Sequence, residues 1–299
     1  MLDQAQKLRQ LVEQQKKDNI EEKDNNVEPK ENISKPRIIT VTSGKGGVGK
    51  SNFVVNLSIA LQKIGKKVLI FDADMGLGND DVLMGFLPKY NVYDVIFGGK
   101  KIEDVLVEGP FGVKLLPGGT GISRIEQMTD KQRDDFLDKL SYLEDLDYII
   151  MDTGAGVNRD VLGFISCCEE LILITTPEPT SLTDAYSLLK AVSHFKIRQD
   201  AKVIVNRVMD ANEGENTFNK FNSAVKKFLN VELQYLGQLT DDKKLIQAVR
   251  KQQPFLISYP NSDVARDIDY IASKIIGLEV EKKGNGVQDF FKKIFNIFS

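Results

Sequence analysis

A chain of 299 residues with a formal charge of −3 and a pI near 5.5 is long enough for one large α/β domain with appendages, and it lacks the positive excess that holds nucleic acid. Its two cysteines, Cys167 and Cys168, are adjacent. That arrangement excludes a disulfide framework and, with no secretory leader pattern, points to a reducing cytosol. No apolar run approaches the roughly 18–20 residues that cross a bilayer, so any membrane contact is expected to be peripheral.

At the N-terminus, "LDQAQKLRQLV" spaces Leu2, Ala5, Leu8, Leu11 and Val12 as one helical face, which predicts a short amphipathic helix over residues 1–12. Residues 13–36 mix both charges and carry almost no apolar side chains. They cannot bury enough surface to offset ordering entropy and are expected to be a flexible linker.

From Arg37 the pattern becomes globular. "RIITVTS", "KKVLIFDAD", "DYIIMDTG", "ELILITTPE" and "AKVIVNRV" are short Ile- and Val-rich runs, as in strands buried on both faces. Helical periodicity separates them over 50–64, 130–142, 181–195 and 213–229. Such alternation predicts a mostly parallel twisted sheet with helices on both faces, spanning 37–278, with ligands at the carboxyl ends of its strands.

The first strand runs into "GKGGVGKSN", residues Gly44 to Asn52, and then a helix. This is the G-x-x-x-x-G-K-[ST] phosphate loop in its proper strand-loop-helix context. Backbone N–H groups of Gly44, Lys45, Gly46, Gly47, Val48 and Gly49 are expected to cradle the phosphates. Lys50 should reach the β/γ-phosphates and Ser51 should ligate Mg²⁺, while the helix start at Lys50–Asn52 favours negative charge. Lys45 is a second lysine in the same loop, one more than the motif needs.

Carboxylates follow at later strand ends. Asp72 and Asp74 of "FDADMGLGNDD" share one strand face and can both look toward the phosphates, Asp72 orienting Mg²⁺-bound water. Asp152 of "DYIIMDTGAG" is the Walker B acid, suited to the same ion, and the small-residue loop from Thr153 to Gly156 could move with the γ-phosphate. Asn206 of "VIVNRV" offers an amide that could read adenine or simply close a turn. Glu178 of "TTPEPTSLTDAY" could approach the nucleotide or a partner subunit.

A polar, glycine-containing linker is expected over 279–286. In the last segment, 287–299, a projection at 100° per residue gathers Val287, Phe290, Phe291, Ile294, Phe295, Ile297 and Phe298 on one arc. A helix docked in the core would read the same way. The flexible linker and the lysines opposite the apolar arc favour a helix that lies on an anionic membrane surface.

"KGGVGKS" resembles the deviant Walker A loop of the MinD/ParA class of P-loop ATPases. The resemblance implies slow, Mg²⁺-dependent ATP hydrolysis to ADP by a homodimer that sandwiches two nucleotides. It also implies that Lys45 crosses to the partner's phosphates and that Asp74 positions the attacking water, with Lys50 completing the catalytic set. For Asn206 it implies contact with adenine. "DQAQKLRQLV", "MDTGAGV" and "TTPEPTSLTDAY" resemble the FlhG (FleN, YlxH) branch, whose members regulate flagellar number and placement. Asp3, Gln4, Ala5, Leu8 and Arg9 match that branch's motif for stimulating the FlhF GTPase, and a flagellar C-ring component is a further implied partner. The implied location is the cytoplasm, and the inner face of the cell membrane when ATP is bound. Competing readings are a ParA-like DNA- or cargo-positioning ATPase, a MinD-type cell-division regulator, a non-hydrolysing scaffold and an iron–sulfur carrier. No basic stripe supports the DNA reading, and the adjacent cysteines look like core residues rather than cluster ligands.

Overall fold

The computed structural model describes residues 36–74, 78–119, 128–143, 145–277 and 286–298. Residues 1–12, with Asp3, Gln4, Ala5, Leu8 and Arg9, lie outside the described residues. So do the expected linkers, apart from Pro36 and Gly286 at their ends.

Eight strands form one sheet in the order β3-β4-β2-β5-β1-β6-β7-β8. These are β1 (Arg37–Ser43), β2 (Val68–Ala73), β3 (Val107–Glu108), β4 (Lys114–Pro117), β5 (Tyr148–Ala155), β6 (Glu170–Thr175), β7 (Asp200–Val208) and β8 (Glu232–Thr240). All neighbours are parallel except β3, which pairs antiparallel with β4 at one edge. Each of β1, β2, β5, β6 and β7 was legible as an apolar run because helices cover both faces and bury the apolar side chains along the strand.

Alternate residues feed two cores. Ile39, Val41, Ile70, Ile150, Ile172 and Ile174 face one way, against α1 (Lys50–Lys63) and, late in the chain, α11 (Asp263–Gly277). Ile38, Phe71, Met151, Leu171 and Leu173 face the other, as the two-residue period of a strand requires. Between α1 and α11 lie short helices α2 (Asp80–Met84), α3 (Val92–Ile96) and α4 (Ile102–Val105). They are followed by α5 (Asp130–Lys139), α6 (Arg159–Cys167), α7 (Pro179–His194), α8 (Ala211–Phe228), α9 (Lys243–Arg250) and α10 (Phe255–Ser258).

The last helix, α12 (Val287–Phe298), takes the docked arrangement that its apolar arc also allows. Its apolar arc faces protein, not solvent: Val287, Phe290, Phe291, Ile294, Phe295, Ile297 and Phe298 are all buried in the second core. Phe291 packs against Phe71 and Phe136 with ring centroids 5.3 and 5.4 Å away, and Phe298 lies 5.0 Å from Phe164. The physical reason is that the sheet surface between α5 and α6 presents large apolar side chains, and α12 is the element that covers them. Gly163, mid-way along α6, makes the approach possible, because a Cβ there would stand 2.8 Å from the Phe298 ring and 2.9 Å from Ile297. No helix among the described residues is long and apolar enough to cross a membrane.

Candidate functional site

Strand β1 delivers Ser43 to the carboxyl edge of the sheet, and the loop that follows turns back into α1. Two glycines there adopt conformations an L-residue resists, Gly47 at φ +77° and Gly49 at φ +95°. Gly49 is also sterically required, since a Cβ would stand 2.3 Å from the amide nitrogen of Asn206. The loop is fastened from outside by β7. Asn206 Nδ2 donates to the carbonyl of Val48 (2.7 Å) and Arg207 Nη2 donates to that of Gly47 (2.6 Å). With the carbonyls held outward, the loop's N–H groups are left for an anion. Arg207 reaches this position from a left-handed backbone (φ +59°), which costs about 1 kcal/mol or more.

Asn206 has a partner at each end of its amide. Its carbonyl oxygen accepts from the backbone N–H of Arg207 (2.8 Å) while its amide nitrogen holds Val48. One end of the amide fastens the phosphate loop and the other closes on its own strand. Sequence reasoning could not see this, because Val48 is 158 positions away.

At the head of α1, Lys50 Nζ stands 3.2 Å from Asp152 Oδ1, and both side chains are largely buried. Ser51 and Lys50 both stabilise the charged form of Asp152. Burial outweighs them and raises its carboxyl above the ordinary value. Asp72, one strand over and in register with Asp152, is pushed up to about 7, first by burial and then by the charge of Asp152. The acids that the sequence placed at neighbouring strand ends do converge behind the phosphate loop.

Asp74 lies just beyond β2, against the end of β5. A Cβ at Gly154 would be 3.5 Å from its carboxylate. The end of β5 and the loop after it are tied to β1, with Thr153 Oγ1 donating to the Val41 carbonyl (3.1 Å) and Gly156 N–H to that of Ser43 (2.9 Å). The loop then enters α6, capped by Asn158, whose side chain accepts from Val161 N–H. Lys45 points away from this centre: its ammonium group donates to Glu178 (2.6 Å) and to the Thr180 hydroxyl (3.0 Å) at the start of α7. Glu178 is about half exposed, and an ion pair in water holds weakly.

The phosphate loop opens onto a cleft of about 830 Å³ that Lys50, Ser51, Asn52 and Asp74 line at one end, and Leu245, Ile246 and Val249 of α9 at the other. Cys167 and Cys168 are free and buried, with both thiols pushed up by desolvation, as core residues are. Three participants escaped sequence reasoning. Arg207 and Thr180 are ordinary polar residues until the fold brings them to the loop. Asp80 sits in "GNDD", which reads as a turn.

A family described as the CobQ/CobB/MinD/ParA nucleotide binding domain matches residues 39–255. The antiactivator FleN of Pseudomonas aeruginosa is 36% identical over 256 residues, covering 85% of this chain and 91% of that protein. The flagellum site-determining protein YlxH of Helicobacter pylori is 35% identical over 266 residues, covering 86% and 89%. Among solved structures, the MinC:MinD cell division protein complex of Aquifex aeolicus superposes with a TM-score of 0.64 at 26% identity, covering 82% of this chain and 97% of that one.

Proposed function

Since the chain belongs to the CobQ/CobB/MinD/ParA family and is a P-loop ATPase of the MinD/ParA class, we propose that it is an ATP-switched homodimer that sets flagellar number or placement from the membrane surface. The observation that carries this reading is Lys45. It is a second lysine at the tip of a phosphate loop whose own phosphate lysine, Lys50, is already in place. Among the described residues, Lys45 is held by an exposed carboxylate and a hydroxyl. An ammonium group so weakly kept gains most from a γ-phosphate presented by a second copy. ATP, not ADP, then assembles the dimer.

The nucleotide is read as Mg·ATP, its phosphates on the loop and Lys50, its base toward the apolar strip of α9. The residues fit a magnesium ion: Ser51 offers a hydroxyl, and Asp152, buried beside it, offers carboxylate oxygens. Mg²⁺, held by Ser51 with Asp72 and Asp152 beyond it, would neutralise charge on the phosphates. Asp74, set against Gly154 at the end of β5, positions the attacking water.

The tail gives the switch its output. Docked as described, α12 hides its membrane face. Arg159, in the first turn of α6, donates to the carbonyl of Ile297 (3.3 Å), so the loop that leaves β5 beside Asp74 leads directly to the tail's anchor. Movement of that loop around a γ-phosphate loosens α12, and two freed tails on one dimer bind lipid with avidity that a single tail lacks. By its likeness to FleN and YlxH, the output is flagellar, with an FlhF-type GTPase engaged through Asp3, Gln4, Ala5, Leu8 and Arg9 and a C-ring component as cargo. The test is co-sedimentation with anionic liposomes in ATP and in ADP, for the full chain, Lys45→Ala and a chain ending at Gly286. Pelleting of the ATP-bound full chain alone is expected; equal behaviour of all three would overturn the reading.

A further inference from the structure

Behind Lys50 stands an acid that no step above uses. Asp80 opens the short helix α2 and has no exposed surface (0%). Both of its carboxylate oxygens are buried without a hydrogen-bond donor. Burial first, then the charges of Asp152 and Asp72 and a hydrogen bond shared with Asp152, push its carboxyl well above the ordinary value, and Lys50 offsets part of this. Three carboxylates therefore crowd one ammonium group in a desolvated cell.

Such an arrangement is costly, and packing does not require it. An apolar side chain of similar volume would fill the position without an orphaned charge. Buried acceptors that lack donors are otherwise rare in native proteins and mark places where something else supplies the partner. Here the missing complement is both positive charge and hydrogen-bond donors. A hydrated magnesium ion offers both, because it keeps several of its waters when it binds.

We propose that Asp80 is a positioning residue for the nucleotide's Mg²⁺, accepting hydrogen bonds from waters carried by the ion and closing, with Asp72 and Asp152, an acidic wall behind Ser51. The inference rests on the Mg·nucleotide reading and adds to it a residue outside the phosphate-loop and Walker B motifs. It also gives the two donorless oxygens of Asp80 a purpose. The cell is strained without metal and relaxed with it, so metal binding and local stability are linked.

The test uses the full chain at saturating ADP, with Mn²⁺ as the probe, its free fraction read by electron paramagnetic resonance. A parallel thermal melt is run in EDTA. Asp80→Asn removes the charge and keeps the shape. The expected result is Mn²⁺ affinity lower by about 10- to 100-fold, the range for residues that act on a metal through its immediate ligands, and a melting temperature in EDTA equal to or above wild type. Unchanged Mn²⁺ affinity would overturn the role of Asp80 alone. A lower melting temperature in EDTA would do the same, since it would make Asp80 an internal structural acid. A wild-type chain that binds ADP but no Mn²⁺ would overturn the Mg²⁺ reading beneath it as well.

Discussion

Gly163→Ala isolates the docking of the tail from everything else the fold does. Gly163 lies inside α6, and exchanging glycine for alanine in a helix favours that helix by about 1 kcal/mol. The new methyl would, however, fall 2.8 Å from the Phe298 ring and 2.9 Å from Ile297 Cγ2, closer than carbon atoms approach. One of the two helices must yield. It is the terminal turn of α12, because α6 is fixed between β5 and the core through Val161, Phe164 and Ile165. Overpacking of this size costs about 1–3 kcal/mol, which shifts the docked-to-undocked ratio of the tail by roughly 5- to 150-fold. Hydrogen exchange at residues 287–298 reads this directly. Their protection should fall by that factor while protection in β1, β5 and α1 stays at the wild-type level. Liposome binding in ADP should rise in parallel. Protection of α12 equal to wild type would refute the packing argument, and loss of protection throughout the sheet would show that α12 is a permanent part of the core.

Two further outcomes follow from the carboxylates. Lys50→Ala removes the ammonium group that stands 3.2 Å from the buried Asp152. Nucleotide binding measured by calorimetry should vanish, and denaturant melts should show a loss of about 3–5 kcal/mol from the uncompensated charge. The second concerns pH. The Asp72 carboxyl is raised from an ordinary 3.8 to about 7, by burial first and then by Asp152. A group that holds its proton more tightly when folded contributes stability fully present below the unfolded value and lost as pH rises through the folded one. Metal-free protein should therefore lose stability between pH 3.8 and about 7, on the order of 4 kcal/mol if Asp72 acted alone. Asp72→Asn should flatten that slope in denaturant titrations, and a slope unchanged by the substitution would disprove the assignment.

The parts of this molecule that could be read from sequence are those fixed by local pattern. The five central strands show as apolar runs because they are buried on both faces. The missed strands fail that rule: β8, at a sheet edge, begins with four exposed or half-buried residues, and β3 and β4 span two and four residues. The phosphate loop, Asp74 and Asp152 were legible because strand ends and glycine spacing place them. Asp80 was not, since its burial comes from the packing of α2 beneath the loop, and neither was the use of the Asn206 amide. The tail marks a different limit. Periodicity identified every residue of the buried arc of α12, but an apolar arc has the same period whether lipid or Phe71, Phe136 and Phe164 cover it.

The central claim is that Lys45 makes assembly depend on ATP. Sedimentation velocity on the hydrolysis-blocked Asp74→Ala chain tests it without turnover. The account predicts a dimer in Mg·ATP, a monomer in Mg·ADP, and a monomer in both nucleotides once Lys45→Ala is added, with ATP still bound. A double variant that dimerises in ATP as readily as Asp74→Ala would contradict it.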